Sequence, residues 1–212
     1  MTRPRFAVLI SGRGSNMQAL LAAARAPDFP AEPALVLSNV ADAPGLSLTG
    51  TVPTAAIPHR GQPDREAHER LLAEAIDASG ATLVCLAGYM RRLTPFLVRH
   101  YAGRMINIHP SLLPSFPGLD THARALAAGV RLHGCTVHFV SEGVDEGPII
   151  AQAAVAVAPD DTEDTLAARV LAQEHALYPR ALALVATGRA RLVDGRCVLD
   201  APAVAGAFAN PA

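Results

Sequence analysis

Short, almost uninterrupted apolar runs alternate with longer stretches of mixed polarity along the first half of the chain. Runs of this kind are typical of parallel strands that are buried on both faces of a sheet. Strands separated by helices predict an α/β fold built on a doubly wound, mostly parallel sheet. The predicted strands are residues 6–10, 34–38, 55–58, 82–87 and 105–108, and the helices between them are 17–25 and 64–79.

The pattern changes in the second half of the chain. A short helix predicted at residues 121–128 is followed by two long strand-like stretches, 135–140 and 148–156. Because only a loop separates these two stretches, we expect them to pair in antiparallel fashion. The mostly parallel sheet should therefore gain an antiparallel extension near its C-terminal part.

A long helix rich in alanine and leucine is predicted next. Acidic residues within 160–164 suit its N-cap and first turn, and Gly188 suits its end. Pro179 is expected to kink or divide this helix, because proline removes a backbone donor and collides with the preceding turn.

The whole chain fits one domain. Its 212 residues are 50% hydrophobic and 17% charged, which provides enough apolar material for a sizeable core. No repeat or linker divides the sequence, so a single domain is predicted over residues 1–200. The alanine- and proline-rich residues 201–212 are expected to form a loose tail.

Charge removes several classes of function. A net charge of -1 and a pI near 6.7 give no basic field, which argues against a nucleic-acid partner. All 18 basic residues are arginine, so lysine Schiff bases and the P-loop lysine are excluded. Any phosphate must be held by backbone N–H groups or by arginine.

Cysteine usage and apolar run length indicate the compartment. Cys85, Cys135 and Cys197 are far apart, which indicates neither a disulfide framework nor a zinc site. Residues 6–10 are too short for a signal peptide, and no run approaches about 18 apolar residues. We therefore expect a cytoplasmic protein with no membrane partner.

The most informative residues lie where the last parallel strand is predicted to end. Asn107 and His109 are two positions apart, so their side chains leave the same face of the strand, which Pro110 should terminate. An amide beside an imidazole can hold an oxyanion, and a carboxylate such as Asp145 can keep the imidazole protonated or receive a proton. These features predict acyl chemistry that needs no protein nucleophile.

A glycine-containing segment joins the first predicted strand to the first helix. Glycine lets backbone N–H groups approach an anion, and a helix N-terminus adds a favourable dipole. The segment lacks the third glycine of the dinucleotide motif, and no ribose-binding acid follows the second strand, which disfavours a dinucleotide. We interpret it as a phosphate-binding loop formed by Gly12, Arg13, Gly14, Ser15 and Asn16.

Other candidate residues are less specific. Residues 88–93 combine an aromatic ring, a thioether and arginines, which suits a flat heteroaromatic ligand as well as an ordinary loop. Glu174 lies among alanines and leucines, and its own pattern favours a solvent-facing position. His133 and His138 are five apart, on opposite faces of a strand, which argues against a metal site. His122 is less clear, since it could line the cleft.

Seven motifs follow one another along the chain. They are Ser-Gly-Arg-Gly-Ser-Asn at 11–16, Leu-Ala-Gly-Tyr-Met-Arg at 86–91, Asn-Ile-His-Pro-Ser-Leu-Leu-Pro at 107–114, Phe-Pro-Gly-Leu at 116–119, His-Gly-Cys-Thr-Val-His-Phe-Val at 133–140, Asp-Glu-Gly-Pro at 145–148 and Gln-Glu-His-Ala at 173–176. Over about residues 5–195 the chain thereby closely resembles the folate-dependent phosphoribosylglycinamide formyltransferases. The resemblance implies a Rossmann-like formyltransferase fold. It also implies transfer of a formyl group from the cosubstrate 10-formyltetrahydrofolate to the amine of glycinamide ribonucleotide in purine synthesis, without a metal.

The resemblance also implies residue roles. The catalytic positions are Asn107, His109 and Asp145. The ribonucleotide-binding positions are Gly12, Arg13, Gly14, Ser15, Asn16, Leu171, Ala172, Gln173 and Glu174, which overrules the solvent-facing interpretation of Glu174. The folate-contacting positions are Arg65, Met90, Arg91, Arg92, Leu93, Asn107, Val140, Ser141, Glu142, Gly143 and Val144.

Three features depart from the family pattern. Arg92 replaces the usual aliphatic residue of the folate pocket. The segment 45–53 is normally helical, but here it holds Gly45, Gly50 and Pro53 and is a poor helix. Arg13 occupies a variable place in the phosphate loop and could contact the phosphate directly.

Alternative functions stay open at this point. The substrate amine is the expected nucleophile, with Asn107 and protonated His109 binding the oxyanion and Asp145 relaying the amine proton. A formyltetrahydrofolate hydrolase would direct water at the formyl group instead, although that family normally has a regulatory domain and a histidine in place of Pro110. A methionyl-tRNA formyltransferase would need an RNA-binding domain and a basic surface. In a non-catalytic nucleotide- or folate-binding module, the combination of Asn107, His109 and Asp145 would be a coincidence.

The expected partners are two small molecules, and the chain is expected to be a monomer or homodimer.

Overall fold

The computed structural model describes residues 3–200, so the predicted tail at 201–212 lies outside the described residues. A seven-stranded sheet has the order β3-β2-β1-β4-β5-β6-β7, and β8 and β9 form a separate two-stranded sheet. The strands are β1 Arg5–Ile10, β2 Glu32–Ser38, β3 Thr54–Ala56, β4 Leu83–Leu86, β5 Met105–His109, β6 Leu132–Phe139, β7 Ile149–Ala156, β8 Ala190–Val193 and β9 Arg196–Leu199. The α-helices are α1 Ser15–Ala23, α2 Arg65–Ala78, α3 Pro95–His100, α4 Thr121–Ala127 and α5 Glu163–Ala186.

Strand direction divides the sheet into two parts. Strands β1 to β5 are parallel to one another, whereas β6 is antiparallel to β5 and β7 is antiparallel to β6. The predicted parallel sheet and its antiparallel extension are both confirmed. The carboxyl ends of β1, β4 and β5 consequently share one edge of the sheet, where ligands bind in open α/β folds.

Each face of the sheet has its own hydrophobic core. Alternate residues of β1 contribute to the two cores, because successive side chains of a strand point to opposite faces. Helices α1 and α5 cover one face, with Met17 and Tyr178 among the buried residues. Helices α2 and α3 cover the other, with Leu72 and Leu97 buried there. Burial on both faces explains why the parallel strands are continuously apolar.

Helix α5 runs unbroken from Glu163 to Ala186, so the prediction that Pro179 divides it is wrong. The neighbouring residues Tyr178 and Leu182 are fully buried against the sheet, and this packing outweighs the loss of one backbone hydrogen bond at the proline. The acidic segment begins the helix as expected, with Thr162 as N-cap in a capping box with Thr165.

Several local elements were absent from the prediction. Helix α3 has only six residues and the β8–β9 sheet has four-residue strands, which are too short to give a clear hydrophobic period. The poorly helical segment 45–53 forms a short 3₁₀ helix, Pro44–Leu48, rather than an α-helix. Within residues 3–200, none of the helices has the length and hydropathy needed to cross a membrane.

Candidate active site

His109 and Asp145 lie side by side at the edge of the sheet. His109 is the last residue of β5 and is buried, with its Nδ1 3.3 Å from Asp145 Oδ2 and its Nε2 3.0 Å from the Phe116 carbonyl oxygen. The Gly118 N–H donates to the same Asp145 oxygen over 2.8 Å. The imidazole therefore has an acceptor near each nitrogen, and the carboxylate is fixed by a backbone donor.

The turn between β6 and β7 delivers Asp145. This residue has φ +56°, a left-handed conformation that aspartate tolerates better than most residues. Two residues later, a Cβ on Gly147 would lie 1.7 Å from the Phe139 carbonyl oxygen, so only glycine permits the close approach of the two chain segments. The geometry of this turn therefore explains Asp145 and Gly147 independently of any chemical role of Asp145.

Asn107 joins the cluster through His138, which the sequence analysis missed. The two residues are direct cross-strand partners of β5 and β6, and Asn107 Nδ2 lies 3.2 Å from His138 Nε2. His138 Nε2 also lies 3.7 Å from Asp145 Oδ1, and its Nδ1 lies 2.9 Å from the Phe139 carbonyl oxygen. The only sequence signal was a polar residue in a buried strand, since the partner is known only from the register of the two strands.

The environment of His138 fixes its hydrogen-bonding role. Burial lowers the pKa of His138, and the Phe139 carbonyl and Asp145 only partly offset that effect. In the neutral ring, Nδ1–H donates to the Phe139 carbonyl and Nε2 accepts from the Asn107 amide. This contact orients the Asn107 amide so that its nitrogen lies on the His138 side.

The segment after His109 is clamped by the antiparallel strands. Thr136 on β6 donates to the Ser111 carbonyl over 2.7 Å and accepts from the Leu113 N–H over 3.0 Å. Gln152 on β7 donates to the Leu113 carbonyl over 2.8 Å and to Thr136 Oγ1 over 3.0 Å. These hydrogen bonds hold the loop that carries Phe116 against His109.

His122 contacts His133, a buried histidine of β6. Their Nδ1 and Nε2 atoms lie 3.2 Å apart, and burial lowers the pKa of His133 to about 4. The pKa of His122 is also lowered by burial. His133 contacts the ring of Phe116, whereas His138 contacts Asn107 and Asp145, so the two histidines of β6 have different neighbours.

The phosphate-loop candidate lines a pocket of about 310 Å³ together with Ala87, Gly88 and Met90. Gly14 has φ +72° and precedes the first turn of α1, so the loop ends at a helix N-terminus. The side chain of Arg13 is exposed. Backbone N–H groups at a helix N-terminus favour an anion at this position.

Glu174 faces this loop from α5. It is 7% exposed, and its Oε2 accepts from Asn16 Nδ2 over 2.6 Å, so the solvent-facing interpretation taken from its own pattern was wrong. Burial raises the pKa of Glu174, and the Asn16 hydrogen bond opposes that rise. Asn16 Oδ1 is also buried and has no hydrogen-bond partner. Of the neighbouring candidates, Ala172 is exposed, whereas Leu171 and Gln173 are half-buried.

Most of the folate candidates lie in two segments, 90–93 and 140–144, and one residue of each segment packs against the same hydrophobic core. Leu93 and Val140 both pack against the buried cluster that contains Leu97 and Met105. The other members lie nearer the surface. Met90, Arg92, Arg65, Glu142 and Val144 are exposed, and Arg91, Ser141 and Gly143 are half-buried.

Two of these folate candidates, Glu142 and Arg92, differ in their surroundings. Arg99 on α3 forms a 2.7 Å ion pair with Glu142, so Glu142 already has a charged partner. Arg92 is an exposed residue. Within residues 3–200, no group of three or more His, Cys, Asp or Glu side chains could hold a metal ion.

Known formyltransferases resemble this chain in sequence. The formyl transferase family matches residues 4–182. The phosphoribosylglycinamide formyltransferase of Escherichia coli is 45% identical over 195 residues, which cover 91% of this chain and 92% of that protein. The chain belongs to the phosphoribosylglycinamide formyltransferase family.

Solved structures of the phosphoribosylglycinamide formyltransferase family share this fold. Glycinamide ribonucleotide transformylase 1 from Symbiobacterium toebii superposes with a TM-score of 0.90 at 47% identity, covering 93% of this chain and 95% of that one. A formyltetrahydrofolate deformylase from Pseudomonas syringae superposes with a TM-score of 0.85 at 30% identity, and the match covers 66% of the deformylase.

Longer relatives contain the same region. The trifunctional purine biosynthetic protein adenosine-3 of Drosophila pseudoobscura is 49% identical over 91% of this chain. The chain spans only 14% of the length of that protein, so the comparison concerns one part of it.

Proposed function

We propose that this chain transfers the formyl group of 10-formyltetrahydrofolate to the amine of glycinamide ribonucleotide in purine biosynthesis, with Asn107, His109 and Asp145 as catalytic residues. The observation that carries the proposal is the pair formed by buried His109 and half-buried Asp145 at the edge of the sheet. Asn107 joins it through His138, and the candidate phosphate loop opens at the same edge. The arrangement has donors for an oxyanion and an acceptor for a proton.

The amine of the ribonucleotide attacks the formyl carbon directly. A tetrahedral intermediate then develops negative charge on the former carbonyl oxygen, where Asn107 donates a hydrogen bond and protonated His109 donates its Nε2–H in exchange for the contact with the Phe116 carbonyl. The Asn107 amide has two hydrogens, of which one is directed at His138, so the second is available to the oxyanion. Asp145 stabilises the imidazolium and relays the proton that the amine loses to the folate nitrogen, which departs as tetrahydrofolate when the intermediate collapses and its bond to the formyl carbon breaks.

The ribonucleotide is held by the loop after β1 and by the middle of α5. Its phosphate binds the backbone N–H groups of Gly12 to Asn16 at the start of α1, since the chain must bind phosphate without lysine. Glu174, together with Leu171 to Gln173, recognises the rest of this substrate. A buried carboxylate beside the unpartnered Asn16 Oδ1 provides acceptors for hydroxyl or amine groups.

The folate lies between the segment Met90 to Leu93 and the segment Val140 to Val144. Leu93 and Val140 supply apolar contact, and the arginines Arg65, Arg91 and Arg92 provide positive charge at the rim. Asn107 lies where the two substrates meet. We also propose that the protein acts in the cytoplasm as a monomer or homodimer.

The test mixes purified protein with 10-formyltetrahydrofolate and follows tetrahydrofolate release by absorbance, with and without glycinamide ribonucleotide. Release that requires the ribonucleotide supports formyl transfer. Release without it would instead establish a hydrolase, the alternative favoured by the structural likeness to the Pseudomonas syringae deformylase. The absence of release in both mixtures would contradict both functions.

A further inference from the structure

A polar network joins three neighbouring strand ends, and the proposed chemistry does not use it. Strands β2, β1 and β4 lie side by side, and Asn39, Ser11 and Gly88 follow them. The Ser11 hydroxyl donates to Asn39 Oδ1 over 2.5 Å and accepts from the Met90 N–H over 2.8 Å. The Ser11 N–H donates to the Gly88 carbonyl over 3.1 Å. Ser11 therefore bonds twice to the segment after β4.

Asn39 fixes the direction of these hydrogen bonds. It is only 3% exposed, and His59 Nδ1 lies 3.0 Å from both its amide nitrogen and its backbone carbonyl oxygen. With the nitrogen on the His59 side, the amide oxygen faces Ser11 and can only accept, so the hydroxyl must donate to it. The lone pairs of the Ser11 hydroxyl are then left for the Met90 N–H.

Ser11 thus lies between two ligand-binding segments. In the sequence it directly precedes the phosphate loop, yet its hydroxyl holds the backbone of Met90, the first residue of the proposed folate segment. Met90 and the phosphate loop line the same 310 Å³ pocket. Met90 is 69% exposed, so apolar packing contributes little to its position and the hydrogen bond to Ser11 matters correspondingly more.

We propose that Ser11, held by Asn39, is a positioning residue for the site of the formyl donor. Its hydroxyl sets the backbone of Met90 and hence the wall formed by residues 90–93. The inference rests on the proposed function, because that function assigns this wall to the folate.

The test compares Ser11→Ala with Ser11→Thr, which keeps the hydroxyl. Ser79→Ala is the matched control, since Ser79 likewise donates to a carbonyl and accepts from a backbone N–H, but at the end of α2. Steady-state kinetics give kcat and the KM for each substrate, and calorimetry gives the Kd for tetrahydrofolate without any turnover.

We expect Ser11→Ala to weaken folate binding by about tenfold, seen both in the KM for the formyl donor and in the Kd for tetrahydrofolate. The KM for the ribonucleotide and kcat at saturation should change much less. Ser11→Thr should restore tetrahydrofolate binding. Asn39→Ala should act in the same direction, and its effect should not add to that of Ser11→Ala, because both remove one network.

Unchanged tetrahydrofolate binding in Ser11→Ala would overturn the inference, and so would a rise confined to the ribonucleotide KM or an equal effect in Ser79→Ala. Calorimetry separates this outcome from failure of the proposed function. A wild-type protein that binds tetrahydrofolate without forming product would contradict the proposed function, while the Kd values would still test the role of Ser11.

Discussion

Strands β1 and β4 end in loops whose backbone groups face the ligand pocket, whereas β6 and β7 bring buried side chains against the end of β5. In the parallel part, the proposed contacts bind groups that do not change during the reaction, such as a phosphate. In the antiparallel part, His138 and Asp145 surround the two residues proposed to meet the developing charge. Changes in the loops after β1 and β4 should act on KM, and changes at His138 and Asp145 on kcat.

The largest effect is expected from His109→Ala. Loss of one oxyanion donor should lower kcat by on the order of a hundred- to a thousandfold with little change in KM, because the interaction is made in the transition state. Steady-state kinetics at saturating substrates measure this. His100→Ala is the control, since His100 also contacts an aspartate, Asp77, but at the surface. Near wild-type turnover in folded His109→Ala would reject the assignment.

A smaller loss of kcat is expected from Asp145→Asn. Asparagine can still accept from the Gly118 N–H but loses the charge that lies beside His109, so kcat should fall by roughly ten- to a hundredfold. The matched control is Asp77→Asn, which removes the charge of an exposed aspartate–histidine pair. Equal effects of the two variants on kcat would show that the location of Asp145 is irrelevant.

Gly45→Ala should weaken substrate binding at the parallel part of the sheet and leave the chemical step unchanged. A Cβ at this position would lie 2.6 Å from Ile10 Cδ1 and 2.9 Å from the Gly12 carbonyl oxygen, which already accepts from the Gly45 N–H. The phosphate loop must shift, so the ribonucleotide KM should rise by about tenfold. Ser47→Ala, in the same 3₁₀ helix, controls for disturbance of the helix itself. A drop in kcat with unchanged KM would contradict the division of roles.

The smallest expected effect is on the free energy of unfolding, and it comes from His133 on β6. His133 has a pKa of about 4 when folded against 6.5 as its ordinary value, so the unfolded chain binds more protons as the pH falls below 6.5. The free energy of unfolding should therefore fall as the pH drops from 6.5 towards 4, by about 1 kcal/mol at pH 5.5. Urea unfolding across this range should show a weaker pH dependence in His133→Gln. An identical slope in the variant would show that His133 does not titrate on unfolding.

The sequence was informative where structure is local. Buried parallel strands show themselves as apolar runs, and the pair at 107 and 109 follows from the alternation of side chains in a strand. Contacts between residues far apart in the sequence could not be predicted from the hydrophobic pattern. Asn16 and Glu174 are 158 positions apart, and the periodicity of α5 could not show that one turn faces the phosphate loop. Only the motif resemblance led to Glu174.

Strand register limited the prediction of the catalytic cluster. His138 lies opposite Asn107 because β6 pairs antiparallel to β5 in one particular register, and a shift by one residue would move it to the other face. The antiparallel pairing of the two long stretches was predicted, but their register against β5 was not. The role of Ser11 was likewise invisible, since it depends on three strands lying side by side.

The division between binding and chemistry is tested most directly by single-turnover rates at saturating concentrations of both substrates, measured for Gly45→Ala and Asp145→Asn together. Saturation should restore Gly45→Ala to nearly the wild-type rate, whereas Asp145→Asn should stay slow at every concentration. The reverse result, a slow Gly45→Ala and a normal Asp145→Asn at saturation, would contradict the assignment of the chemistry to the cluster around Asp145.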